Sequence, residues 1–247
     1  MTLQEFFTEY PAISIAFSGG VDSAYLLYYA HKYAKRVKAY YMKTPFQPAF
    51  EEADAIRFCK QYNISLSIIE HDILSNEQVK ANPVNRCYYC KKAIFSAISK
   101  AALADGYTVI CDGTNASDDV TDRPGMKALE ELLVQSPLRI CGLTKDVIRK
   151  ESKAAGLFTW NKPSYACLAT RITTDTPICQ EDLIRVEKSE DILFSLGFRD
   201  YRVRIYHDAA RIQLPEAQMP LAVELHDLLC KMLAPYFTTV MLDLFSR

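Results

Sequence analysis

A short, mainly apolar run, Ile13-Ser14-Ile15-Ala16-Phe17, breaks into Ser18, Gly19, Gly20, Val21, Asp22 and Ser23, and the chain resumes as Ala24-Tyr25-Leu26-Leu27-Tyr28-Tyr29-Ala30. The first run reads as a buried strand and the last as the start of a helix, so the order is strand, small-residue turn, helix. Adjacent glycines let the backbone turn tightly and approach a ligand closely. The first N–H groups of the helix have no intrahelical partner and lie at the positive end of its dipole, which suits an anion, most simply a phosphate chain. The turn carries no lysine and so is not a GxxxxGK[ST] loop, nor does it match GxGxxG.

The same alternation continues. The first helix runs to about Lys35, Val37–Tyr41 reads as a second strand, Glu51 to Tyr62 as a helix, and Leu66–Ile69 as a third strand. A helix ends near Leu103, and Thr108–Cys111 forms a fourth strand. Strands alternating with helices of this length predict an α/β domain on a parallel sheet. Ligands of such sheets sit beyond the carboxyl ends of the strands, where the glycine turn lies.

A chain of 247 residues holds one large or two modest domains, and 49% apolar with 24% charged residues describes an ordinary globular composition. The net charge of −1 offers no whole-molecule reason to bind nucleic acid or a membrane. No apolar stretch reaches the length of a membrane span and the N-terminus lacks a signal sequence, so a cytoplasmic location is expected. There the eight cysteines are expected as thiols, ligands or nucleophiles rather than as a disulfide framework.

Cys87 and Cys90 sit three apart before a helix, where a pair can hold a metal, cycle as a redox couple, or simply pack. Asp112-Gly113-Thr114-Asn115 follows the fourth strand directly; it is either a plain turn or part of the nucleotide site beside the glycine loop. Asp118, Asp119 and Asp122 continue that loop with carboxylates suited to Mg²⁺ held through phosphates and water. Helices are expected near Lys127–Leu133 and over Thr144 to Ala155, with Thr144 as N-cap and Gly156 as the stop.

Phe158 to Pro163 reads as a hinge between a first domain, 1–160, and a second, 161–247. The second is expected as a small α+β module: helix Gln180–Ser195, strands Tyr201–Tyr206 and Ala210–Leu214, helix Leu221–Leu233 and strand Val240–Leu244. On the first of these helices Leu183, Val186, Leu193 and Phe194 form an apolar face with Glu190 in its middle. A carboxylate there is either on a half-exposed face or paired, most simply with an arginine. Arg202 and Arg204, and then Arg211 and Gln213, alternate with apolar residues and so share one strand face, which is either solvated or a clamp for phosphate or carboxylate. Cys167, followed by Arg171, is a thiol among cations, a setting that favours the thiolate.

Ser18–Ser23 resembles the PP-loop, SGGxDS, of the ATP pyrophosphatase superfamily. Together with Asn82-Pro83, Arg86-Cys87-Tyr88-Tyr89-Cys90-Lys91, Asp112–Asn115, Ala166-Cys167-Leu168-Ala169-Thr170-Arg171, Arg202-Val203-Arg204 and Ala210-Arg211-Ile212, it makes nearly the whole chain similar to the LarE family of ATP-dependent sulfur transferases. The resemblance implies ATP with Mg²⁺, bound at Ser18–Ser23 with Met42, Gly113 and Thr114. It implies Cys167 as a sacrificial sulfur donor, and Arg86, Arg171, Glu190, Arg202 and Arg204 as contacts of a pyridinium biscarboxylic acid mononucleotide. It also implies a homo-oligomer with a small-molecule substrate; no membrane partner is expected, and the net charge speaks against a nucleic-acid partner.

Two positions depart from the family pattern. Gln213 stands where Glu is common, so one carboxylate is missing, and Thr173-Thr174-Asp175-Thr176 replaces a Pro-x-Gly-Thr. Some relatives spare their own sulfur by carrying a cysteine-bound [4Fe–4S] cluster, for which Cys167, Cys179 and the distant Cys230 are the available thiols. A PP-loop enzyme with another acceptor, such as tRNA, or a non-catalytic nucleotide-binding module are the competing readings.

Overall fold

A computed structural model of the chain describes residues 1–118 and 124–247. Asp119 and Asp122, two of the carboxylates named above, lie outside the described residues. The chain forms two compact units, one made of Met1–Val79 with Asn85–Lys162, the other of Lys80–Val84 with Pro163–Arg247.

In chain order the first unit runs α1 (Leu3–Glu9), β1 (Ala12–Ala16), α2 (Val21–Tyr33), β2 (Arg36–Lys43), α3 (Ala49–Tyr62), β3 (Leu66–Glu70), a short α4 (Glu77–Lys80), α5 (Arg86–Ala104), β4 (Val109–Cys111), α6 (Pro124–Glu131), α7 (Pro137–Ile140) and α8 (Lys145–Ala154). Its four strands are parallel in the order β3-β2-β1-β4. β1 lies between β2 and β4, with helices packed on both faces of the sheet, which is why it reads as a nearly continuous apolar run. Ser14, the polar residue inside it, is fully buried and donates its hydroxyl to the Val109 carbonyl at 3.0 Å.

Alternate residues of the strands feed two cores. Ile13, Ile15, Ala39 and Tyr41 pack with α1, α2, α3 and α8, while Tyr40, Met42 and Ile110 pack with α5 and α6. The chain order reverses between β1 and β4, and that switch point is where a doubly wound sheet opens a crevice at its carboxyl edge. The turn after β1 and the loop after β4 therefore become neighbours.

Several boundaries differ from the sequence expectation. α5 begins at Arg86, so Cys87 lies in its first turn and Cys90 opens the second. Thr144 occupies the N-cap of α8 with extended backbone, but its side chain makes no cap bond; the Ser117 hydroxyl accepts from the Lys145 N–H instead, at 3.0 Å. Gly156 does end that helix, at φ +70°.

The second unit contains α9 (Gln180–Ser195), β5 (Arg202–Tyr206), β6 (Ala209–Gln213), α10 (Met219–Glu224), α11 (His226–Leu233) and β7 (Thr239–Leu242). β5 and β6 are antiparallel and β7 runs parallel to β6. Leu193, Val203, Ala210, Ile212, Leu214, Leu229 and Leu233 form its core. The single helix expected over Leu221–Leu233 is two, because Leu225 leaves helical geometry at ψ 13° while the hydrogen bonds on either side of it carry on. Phe194 is not on the apolar face of α9: it is 58% exposed and lies against the Arg199 guanidinium.

Candidate active site

The turn between β1 and α2 is held by its own hydroxyls. Ser18 and Ser23 share a hydrogen bond at 3.0 Å, the Ser18 N–H donates to Ser23 Oγ, and Ser23 donates to the Gly20 carbonyl at 3.2 Å. Val21 anchors the turn in the core. Gly19 has φ +72°, and a Cβ there would come within 3.1 Å of the Glu51 carbonyl oxygen, so both backbone conformation and the packing of α3 require glycine.

Gly113 enforces the second half of the cradle. A Cβ on it would lie 3.0 Å from the Ser23 nitrogen, so the loop after β4 rests against the first turn of α2 only because the side chain is missing. Asp112 organises that loop rather than facing outward: Oδ1 accepts from the Thr114 N–H and from Ser136 at 2.7 Å, and Oδ2 accepts from the Thr114 hydroxyl. Met42, at the end of β2, buries its side chain beside Tyr40 and Phe95. Arg86 opens α5 and is itself buried.

The motif contains no cation, but the fold brings two to it. Lys145 at the start of α8 places Nζ 2.5 Å from Asp22 Oδ2. Lys162 places Nζ 3.0 Å from the Gly19 carbonyl oxygen and 2.6 Å from Asp54 Oδ2. Asp22 Oδ1 is buried with no hydrogen-bond partner among the described residues. Burial pushes the Asp22 carboxyl up, the hydrogen bond from Lys145 opposes that, and the nearby charge of Asp118 adds to the rise. Glycines that a Cβ would close, N–H groups at a helix start and two ammonium groups are the chemistry of a polyphosphate site. Asp22 and Asp118 suit Mg²⁺, which keeps its waters and phosphate ligands and needs only one or two carboxylates.

In the second unit three guanidinium groups converge on the backbone of residues 164–170. Arg202 donates Nη2 to the Ser164 carbonyl at 2.7 Å, Arg171 donates Nη1 to the Ala166 carbonyl at 2.8 Å and to the Cys167 carbonyl at 3.4 Å, and Arg204 donates to the Thr170 carbonyl. Cys167 caps the 3₁₀ turn Leu168–Arg171 and stays partly exposed. The Tyr165 ring lies beneath both Arg171 and Arg202, at 4.6 and 5.1 Å from its centroid.

Glu190 does meet an arginine. It takes a two-point contact from Arg171, the Tyr165 hydroxyl at 2.5 Å and the Val203 N–H at 3.0 Å, so both its oxygens are occupied inside the unit. Arg202 is 4% exposed, so the shared face of β5 and β6 is covered at Arg202, while the Arg211 side chain keeps 40% exposure. Burial, then the charges of Arg171 and Arg247, push its guanidinium down to about 10, and burial pushes Arg204 down likewise. A carboxylate reaches Gln213 from the residue after β7: Asp243 accepts from Gln213 at 2.8 Å and from Arg211 at 2.9 Å, and Gln213 accepts from Arg204 at 2.6 Å.

Burial pushes the thiols of Cys111, Cys141 and Cys179 up, and that of Cys59 up to about 12, which disfavours their thiolates. Among the described residues no three His, Cys, Asp or Glu side chains gather as a metal site, so Cys167, Cys179 and Cys230 are not brought together as cluster ligands. Lys145, Lys162, Tyr165 and Asp243 were not singled out from sequence. Only Lys162 carried a local signal, as the residue before the proline of the hinge.

A parallel sheet with this loop at its switch point defines a PP-loop enzyme. No family model matches the chain. It is 31% identical over 209 residues to the pyridinium-3,5-bisthiocarboxylic acid mononucleotide synthase of Lactiplantibacillus plantarum, covering 84% of this chain and 76% of that protein. It is 34% identical over 223 residues to an uncharacterised protein of Synechocystis sp., covering 90% and 83% respectively. It is 26% identical over 192 residues to the tRNA-specific 2-thiouridylase MnmA of Thermotoga petrophila, covering 61% and 54%. The chain belongs to the LarE family of ATP-dependent sulfur transferases, within the PP-loop superfamily.

Proposed function

We propose that the protein adenylates a carboxylate of pyridinium biscarboxylic acid mononucleotide and passes it the sulfur of Cys167, leaving a thiocarboxylate. ATP binds along Ser18–Ser23, with Met42, Gly113 and Thr114 beside it. A substrate carboxylate oxygen attacks the α-phosphorus and pyrophosphate leaves. The Cys167 thiolate attacks the acyl carbon of the mixed anhydride, and AMP departs with the C–O bonding pair. A base then takes the Cα proton of Cys167, the C–H pair forms the Cα=Cβ bond, and the Cβ–S bond breaks onto sulfur, leaving dehydroalanine. Mg²⁺ bound with the nucleotide, at Asp22 or Asp118, would spread the charge that builds on pyrophosphate.

The observation that carries this reading is the convergence of Arg171, Arg202 and Arg204 on the segment presenting Cys167. Arg204 has N–H groups beyond those given to Gln213 and Thr170 and is assigned to the substrate phosphate, with Arg86 a second contact. Arg171, Glu190 and Arg202 are committed within the unit, and we assign them to holding the cysteine segment. A cytoplasmic homo-oligomer is part of the same reading, and among the described residues no helix is long and apolar enough to cross a membrane.

The test is turnover with ATP and the mononucleotide, followed by intact-mass analysis. The expected result is pyrophosphate release with a mass loss equal to H₂S, located at Cys167. Product formation with unchanged protein mass would overturn it. Similarity to MnmA supports thiolation of tRNA as a second reading; a gel shift with bulk tRNA at moderate salt, absent in our reading, separates the two.

A further inference from the structure

Lys162 joins two parts of the first unit that chemistry would need to coordinate. Its ammonium sits on the Gly19 carbonyl oxygen, inside the glycine turn, at 3.0 Å, and pairs with Asp54 at 2.6 Å. Two of its three N–H groups are accounted for by those partners. The ammonium is not buried: the side chains of Lys162 and Asp54 keep 20% and 28% exposure, enough to exchange partners.

Lys162 is the last residue of the first unit, and Cys167 follows five residues later. Arg149 grips this stretch, donating Nη1 to the Trp160 carbonyl at 3.0 Å and Nη2 to the Lys162 carbonyl at 2.7 Å. Pro163 comes next, and its ring restricts the Lys162 backbone to extended conformations. One guanidinium thus ties the backbone at Lys162 to that at Trp160.

An incoming phosphate chain changes the balance at the ammonium. It brings several negative charges to the turn, against one carboxylate at Asp54. We propose that Lys162 is a nucleotide-binding residue whose ammonium leaves Asp54 for the nucleotide phosphates, and that this exchange is felt along the stretch from Trp160 to Lys162 that Arg149 holds. The proposal rests on the reading of Ser18–Ser23 as the ATP site.

The chain carries its own reporter. Trp160 is its single tryptophan, two residues before Lys162, with the Lys153 ammonium 4.5 Å from its ring. The experiment titrates the full-length protein with a non-hydrolysable ATP analogue and Mg²⁺, reading Trp160 fluorescence, with calorimetry as an independent measure of binding. The wild type is expected to show a saturable change whose midpoint matches the calorimetric Kd. Lys162→Met is expected to weaken binding by about tenfold or more, the scale of one charge-assisted hydrogen bond, and to lose the fluorescence change even at saturation. Lys162→Arg should recover part of both. Asp54→Asn removes the resting partner and should tighten binding, a direction that simple damage to the fold does not produce.

If the wild type binds no ATP analogue, the nucleotide reading itself fails and the proposal falls with it. If the wild type binds but Trp160 does not respond, or Lys162→Met responds like the wild type at saturation, or Asp54→Asn weakens binding, the Lys162 exchange alone is overturned.

Discussion

Arg171 holds Glu190 through two parallel hydrogen bonds, Nε to Oε1 at 2.8 Å and Nη2 to Oε2 at 3.0 Å, with both side chains buried. The remaining amino group of the same guanidinium binds the Ala166 carbonyl and the Thr170 hydroxyl, each at 2.8 Å. One side chain thus ties a helix of the second unit to the backbone that presents Cys167.

Removing either member leaves a buried charge unpaired. Arg171→Met is expected to lower stability by about 3–5 kcal/mol, and Arg171→Met with Glu190→Leu by less, since no lone charge remains. Urea unfolding of the single and double variants checks this. Arg171→Lys should resemble the single loss, because an ammonium cannot form the two-point contact.

Cys167→Ala should still release pyrophosphate with the nucleotide substrate, because adenylation precedes any use of sulfur. No thiocarboxylate should form and the protein mass should not change. A pyrophosphate assay beside mass spectrometry reads both.

Gly113→Ala introduces a Cβ 3.0 Å from the Ser23 nitrogen, a backbone atom that cannot step aside. The expected cost is about 1–3 kcal/mol of stability, with a larger proportional loss of ATP affinity as the β4 loop is pushed off the turn. Gly106→Ala is a control for positive φ alone, since Gly106 has φ +79° and nothing within 4 Å of an added Cβ. Melting temperatures and calorimetric titration compare the two.

Asp243 gives a pH signature. The hydrogen bond from Gln213, then those from Phe245 and Arg211, hold its carboxyl below the usual carboxylate range. A depressed folded-state pKa contributes stability above the unfolded value, about pH 4, and that contribution is lost as pH falls through the folded value. Asp243→Asn should therefore be less stable than wild type at pH 7, with the gap closing toward pH 3. A constant gap across that range in thermal melts would show that Asp243 stabilises by shape alone.

The glycine turn was legible because its logic is local. A five-residue strand, a Gly19 that must adopt positive φ and a helix start follow one another in the chain, and the parallel sheet follows from their repetition. Glu190 was legible in part for a similar reason: a carboxylate at helical spacing among Leu183, Val186 and Leu193 is either half exposed or paired, and the buried Arg171 decides for the pair. The basic face of β5 stays open between a solvated surface and a clamp in the sequence, because alternation tells which residues share a face, not whether solvent or another segment covers it.

The residues in order thus determined the fold class and the glycine turn from interactions within a few positions of one another, and the cysteine segment through its resemblance to a family motif. Only the tertiary structure decided which charges meet them. Lys145 and Lys162 reach the turn from 123 and 143 residues beyond their partners, and Asp243 reaches Gln213 across 30. Such pairings depend on strand order, helix packing and register, and no local pattern encodes which distant ammonium or carboxylate will arrive.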